Sequence, residues 1–132
     1  MTDSAWVSSI NAVTLLTTDM ARSSASYADL CFEPNYGGPD HSFTSWCAGS
    51  SFVNVQLDRD WQPPDRVWGR VILFVDDVDA VHRRACAAGR SPSTEPADAP
   101  WGERYFHISD PDGHELSFAR PIPTAGADGT PP

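Results

Sequence analysis

A shift of 58 positions, the offset between Val13 and Val71, lays one half of the chain on the other. It also places Leu15 on Leu73, Asp19 on Asp77 and Met20 on Val78. In each half an apolar run of strand length leads to an acidic residue suited to a helix N-cap, then to an amphipathic helix and further strands. This is a duplicated βαβββ unit. The 132 residues suffice for one compact domain, or for two small halves that share a core. The expected fold is therefore α+β with two βαβββ modules. Residues 1–9 form a lead-in, 10–62 the first module, 63–120 the second and 121–132 a flexible tail, all within one structural domain.

Local signals place the elements. Ile10 to Thr17 is apolar and of strand length, and Asp19 caps a helix running from Met20 to about Leu30, with Met20, Ser23 or Ser24, Tyr27 and Leu30 on one face. Pro34 and Gly37-Gly38-Pro39 break the chain. Phe43 to Cys47 and Ser51 to Leu57 read as strands around an Ala48-Gly49-Ser50 turn; Val53, Val55 and Leu57 share one face of the second, Phe52, Asn54 and Gln56 the other. Asp58 to Asp65 is a linker. Val71 to Val75 reads as a buried strand, and Val78, Val81, Ala85 and Ala88 mark the second helix, which Gly89 ends. Arg90 to Pro100 reads as a loop with room for one short edge strand.

The stretch Trp101 to Arg120, WGERYFHISDPDGHELSFAR, is the most specific. Phe106 and Ile108 alternate with Tyr105, His107 and Ser109, so one face is apolar and the other polar and aromatic. Asp110-Pro111-Asp112-Gly113 supplies a tight turn: proline sets φ, aspartate bonds back to the backbone and glycine accepts positive φ. Alternation resumes through Glu115 to Ala119.

Charge and cysteine content exclude several classes. The formal net charge is −9, and every one of the nine basic residues is arginine. Nucleic-acid binding needs a basic face to neutralise phosphates, so it is not expected. An acidic chain favours a cationic partner, although acidity also serves solubility. No apolar run is long enough to span a bilayer, and Met-Thr-Asp-Ser lacks the features of a signal peptide. Cys31, Cys47 and Cys86 have no metal-type spacing and read as reduced thiols of a cytoplasmic protein.

Trp-Gly, a short alternating strand, Asp-Pro-Asp-Gly and a second strand resemble the C-terminal signature of the vicinal oxygen chelate superfamily, which holds glyoxalase I, extradiol dioxygenases, fosfomycin-resistance enzymes and bleomycin-resistance binding proteins. The resemblance covers roughly residues 10 to 121 and is stronger in the second half. Tyr27 to Phe32 resembles the end of the family's first helix, but is one residue short and lacks the usual glycine. The resemblance implies two modules curling into a cup-shaped groove, paired across a homodimer.

In the family's metal enzymes His, Glu or Gln ligands face that groove. Carried over by position, those places hold Ala12, Arg70 and Ser117: a side chain without a donor, a permanent cation and a weak neutral donor. No metal or other cofactor is expected. A rebuilt His41/His107/Glu115 site is the alternative. His82 lies outside the groove, and His114 reads as a solvated turn residue.

Without a metal, the groove is aromatic. Trp101, Tyr105, His107, Phe52, Trp46 and Trp61 are the candidate ligand-binding rings, with Arg70, Gln56 and Ser117 as polar fixtures. Arg70 serves equally as a structural ion-pair partner. Flat, stiff side chains suit stacking on a planar ligand, although some of the five tryptophans belong to core or dimer contacts. The resemblance implies sequestration of an aromatic antibiotic or natural product, and the net charge favours a cationic one. The alternatives are a glyoxalase- or dioxygenase-type lyase, isomerase or oxygenase, and a pathway carrier protein. No catalytic residue stands out.

Overall fold

The computed structural model describes residues 4–123. Ten elements follow in order: β1 Ala12–Thr17, α1 Met20–Asp29, β2 Glu33–Tyr36, β3 Phe43–Ala48, β4 Ser51–Leu57, β5 Arg70–Phe74, α2 Val78–Ala87, β6 Ala97–Asp98, β7 Glu103–Ser109 and β8 Glu115–Pro121. They build two four-stranded sheets of identical topology, β1-β4-β3-β2 and β5-β8-β7-β6. In each, the first strand lies parallel to the last and the remaining pairs are antiparallel. The fold is α+β, and both halves are βαβββ.

Both helices start as their sequence requires. The Asp19 side chain accepts from the Arg22 N–H at 3.1 Å and Asp77 from Ala80 at 3.0 Å, each satisfying a donor that the helix leaves unpaired. They also end alike. The N–H of Phe32 reaches the Tyr27 carbonyl and that of Cys31 the Ala28 carbonyl; Arg90 and Gly89 repeat this against Ala85 and Cys86. The residue after each cap is left-handed, Gly89 at φ 83° and Cys31 at φ 71°. Cys31 thus stands where glycine belongs, which is the place of the glycine missing from the first half.

Three expectations need correction. Glu33–Tyr36 is a strand although Pro34 reads as a breaker; it lies at the sheet edge with a register shift between Pro34 and Tyr36, where a missing N–H breaks no ladder. β5 is not buried on both faces: Val71 and Leu73 are half-buried, but Ile72 and Phe74 are 62% and 66% exposed. Pro121 ends β8, and the Ile122 N–H bonds to the Gly102 carbonyl at 2.8 Å, so the expected flexible tail does not start at Pro121. The rest of it, 124–132, lies outside the described residues.

One core serves both halves. Leu15, Val53, Val55 and Trp46 come from the first sheet, Phe106, Ile108, Leu116 and Phe118 from the second. Tyr27 and Phe32 join them, with ring centroids 5.1 Å apart and Phe32 6.1 Å from Phe118. Neither module is large enough to bury its apolar face alone.

The Asp110–Gly113 turn is the polar counterpart of that core. Asp110 Oδ1 accepts the N–H groups of Asp112 and His114, both at 2.9 Å. Its other oxygen accepts the Tyr27 hydroxyl. The buried Asp112 carboxylate takes Thr17 Oγ1 at 2.5 Å, the Thr18 N–H at 3.2 Å and Arg22 Nη2 at 2.8 Å, all from the first module. His114 is 2% exposed, not solvated. The Trp68 indole N–H donates to its Nδ1 at 3.0 Å, so Nε2 carries the proton and donates to the Leu16 carbonyl at 2.8 Å. The linker seats on the same turn: Trp61 stacks on His114 at 5.1 Å and donates to the Asp112 carbonyl.

Candidate functional site

The outer face of the second sheet is set by register. Three rows cross it: Ser109–Glu115–Arg70, His107–Ser117–Ile72 and Tyr105–Ala119–Phe74. Trp101 extends the last row, stacked on Tyr105 at 6.2 Å and 21°; Tyr105 in turn lies 5.0 Å from His107. Ser117 and Ala119 are small and buried, and form a floor between the larger side chains. The face is therefore a shelf of rings with an ion pair at one end.

Along the whole of β5 a cavity of about 640 Å³ opens between that strand and the ends of β1, β3 and β4. Ile10, Phe52, Trp68, Arg70, Ile72 and Phe74 are among its walls. The volume falls in the range that accommodates small organic ligands. Arg70 is the one charged side chain lining it among the described residues. That sign is opposite to the cationic ligand which net charge alone favours.

Arg70 Nε donates to Glu115 Oε2 at 2.5 Å. Glu115 is largely buried, whereas the Arg70 side chain is 44% exposed. The pair has its anionic end covered and its cationic end open. Nearby, His107 titrates below its ordinary value: burial disfavours the charged ring, Arg70 repels it, and Glu115 offsets only part of this. Its Nδ1 is buried without a hydrogen-bond partner among the described residues.

The structure thus brings Arg70 and Phe52 together in the cavity, and Trp101, Tyr105, His107 and Ser117 onto the adjoining shelf. Three other candidates lie elsewhere. Trp46 is 5% exposed on the core face of β3, stacked near Tyr27. Trp61 packs on His114. Gln56 is exposed on the first sheet beside Phe43 and Leu16 and does not line the cavity. Ile72, Phe74, Trp68 and Ile10 are cavity residues that sequence reasoning missed. The parity of β5 carries the signal for two of them, since Arg70, Ile72 and Phe74 alternate with the half-buried Val71 and Leu73.

A divalent ion does not fit the positions where the metal enzymes hold one. Ala12 offers no donor, Arg70 is a cation already paired, and Ser117 is a buried neutral hydroxyl. His41 has its ring against Tyr36 at 5.9 Å. It does not join His107 and Glu115: among the described residues no group of three His, Cys, Asp or Glu side chains could hold a metal.

Comparison with known proteins fixes the family. Residues 9–118 match the model of the Glyoxalase/Bleomycin resistance protein/Dioxygenase superfamily. The chain belongs to that superfamily. It is 43% identical over 103 residues to a Mycobacterium bovis protein named "Putative glyoxylase CFP32", a match covering 71% of this chain and 39% of that one. The chain spans only about a third of the length of the curated relatives it matches. Among solved structures it resembles TioX from Micromonospora sp. ML1 (TM-score 0.69, 26% identity, 87% and 100% of the two chains). It also resembles a bleomycin-binding protein complexed with bleomycin (TM-score 0.66, 19% identity, 86% and 98%), a likeness of fold. Among the described residues no helix is long and apolar enough to cross a membrane.

Proposed function

We propose that this protein binds and sequesters a planar aromatic small molecule, an antibiotic or related natural product, without chemistry on it. The observation that carries this reading is the double role of Ile72 and Phe74, which share cross-strand rows with His107 and Tyr105 and also line the cavity. Aromatic side chains lose little freedom when a flat ligand stacks on them. Sequestration then lowers the free ligand by mass action, so affinity and protein concentration set the protection. The bleomycin-bound neighbour of the same fold supports this reading.

The exposed apolar side chains of β5 suit a homodimer in which a second copy covers that strand and completes the groove. Glyoxalase-type chemistry is the second reading, favoured by the name of the mycobacterial relative. It requires ligands or a base that the three carried-over positions do not offer.

Tryptophan fluorescence titrated with bleomycin and a panel of planar aromatic antibiotics, with and without EDTA, tests the proposal. Saturable quenching at micromolar concentration or below, indifferent to EDTA, is expected. Absence of quenching by every compound, or quenching that EDTA abolishes, would return the weight to metal-dependent enzymology. Sedimentation tests the dimer, and a monomer at micromolar concentration would count against it.

A further inference from the structure

We infer that Arg70 selects ligands bearing an oxyanion, such as a carboxylate, sulfonate or phenolate, on a flat apolar body. The inference rests on the aromatic-binding reading and adds the charge of the ligand to it.

Glu115 holds only the Nε edge of the guanidinium. Nη1 and Nη2 make no hydrogen bond among the described residues, and the side chain is 44% exposed where it borders the cavity. A guanidinium with two nitrogens uncommitted presents a planar fork that matches the two oxygens of a carboxylate or sulfonate. The Nε–carboxylate bond fixes the plane of that fork, so less freedom is lost when a ligand docks. Glu115 neutralises the pair overall, yet it is covered, and an incoming ligand meets the cation first. Phe52, Trp68, Ile72 and Phe74 line the same cavity with apolar surface, beside which a charge-assisted bond is stronger than in open water. The net charge of −9 opposes an anion only at long range, and physiological salt screens it within about 8 Å. The local cation therefore decides the sign of the ligand.

Two dyes that differ by one group test this. 8-Anilinonaphthalene-1-sulfonate carries a sulfonate; N-phenyl-1-naphthylamine has the same rings without it. Fluorescence titration of the wild-type protein is expected to show the sulfonate dye binding at least about tenfold more tightly, the effect of one charge-assisted fork. In Arg70→Met the sulfonate dye should fall to the affinity of the neutral one, which itself stays within about twofold. Arg70→Lys should lie between, since it keeps the charge without the fork. Arg70→Met/Glu115→Gln removes both charges, leaves no orphaned carboxylate and should match Arg70→Met. Equal affinities in the wild type, or a sulfonate preference that survives Arg70→Met, would overturn the role of Arg70 and leave the aromatic groove standing. Failure of both dyes to bind would remove the groove itself.

Discussion

The Tyr27 hydroxyl donates to Asp110 Oδ2 at 2.8 Å across 83 positions of sequence, from the first module's helix to the second module's turn. Burial, then the Asp110 carboxylate, holds the Tyr27 hydroxyl protonated far above its ordinary pKa. A group whose folded pKa is raised contributes stability that is intact below the unfolded value and is lost as pH rises towards the folded one. Wild-type protein should therefore lose stability as pH climbs above about 10, the unfolded tyrosine value. Tyr27→Phe should cost about 1–3 kcal/mol at neutral pH by leaving a buried acceptor unpaired, and should flatten that alkaline slope. Urea midpoints between neutral pH and about pH 11 check both, and parallel slopes would show that Tyr27 does not couple ionisation to unfolding.

Cys31 occupies the left-handed position that Gly89 fills 58 residues later, and its side chain is exposed. Cys31→Gly should stabilise the protein by about 0.5–1 kcal/mol. Relief of roughly 1–2 kcal/mol of left-handed strain outweighs the roughly 0.4–1 kcal/mol of added unfolded-chain entropy. The reverse change, Gly89→Ala, meets no atom within 4 Å and should destabilise by about 1 kcal/mol. Thermal melts of the two variants should move in opposite directions.

Gly113→Ala should be worse than Gly89→Ala although both have positive φ. A Cβ at Gly113 would stand 2.8 Å from Pro63 Cβ, so overpacking adds to strain, for a total of roughly 2–5 kcal/mol. Denaturant unfolding of the two variants isolates the contact with the linker. Equal losses would mean that Pro63 yields freely.

His107 should titrate below its ordinary value, and Arg70→Met should move it upward, because the cation that repels the charged ring is gone while Glu115 remains. Proton NMR of the imidazole against pH reads this directly. An unmoved titration would separate His107 from Arg70 electrostatically.

Trp101→Ala should weaken binding of an aromatic ligand by about 1–3 kcal/mol and leave the melting temperature unchanged. The ring is 47% exposed and touches the protein through Tyr105 and a hydrogen bond to Glu103. A shifted melting temperature with unchanged affinity would make Trp101 a structural residue.

What could be read from sequence was what is local. Asp19 and Asp77 act within one turn, and the hairpin around Asp110–Gly113 is specified by adjacent residues, so the caps, the repeat and every strand of more than two residues except the Pro34-bearing β2 were legible. Tertiary contacts were not. His114 looked solvated because its partners, Leu16 and Trp68, lie far away in sequence. Trp46 looked like a groove ring because β3, Phe-Thr-Ser-Trp-Cys-Ala, has no alternation to show which face is buried. The apolar run of β5 concealed an exposed side, since hydrophobicity on both faces reads as burial whether the second face meets the core or a cavity. Of the candidate cavity residues, Phe52 is legible by parity and Arg70 by the position carried over from the family; Ile72 and Phe74 share the parity of Arg70 but are hidden by their own apolarity.

The two halves share an architecture yet are no longer interchangeable. The turn between β3 and β4 is short, with Gly49 open to solvent and no atom within 4 Å of its would-be Cβ, whereas its counterpart between β7 and β8 is gripped by Thr17, Arg22 and Tyr27 from one side and Trp61 and Pro63 from another. A chain severed within the linker would yield two fragments whose missing hydrogen bonds each lie on the other piece. Such fragments are suited to serve as a split reporter, silent apart and folded together, while a chain with its two halves in swapped order would have to rebuild that clasp from a different connecting segment.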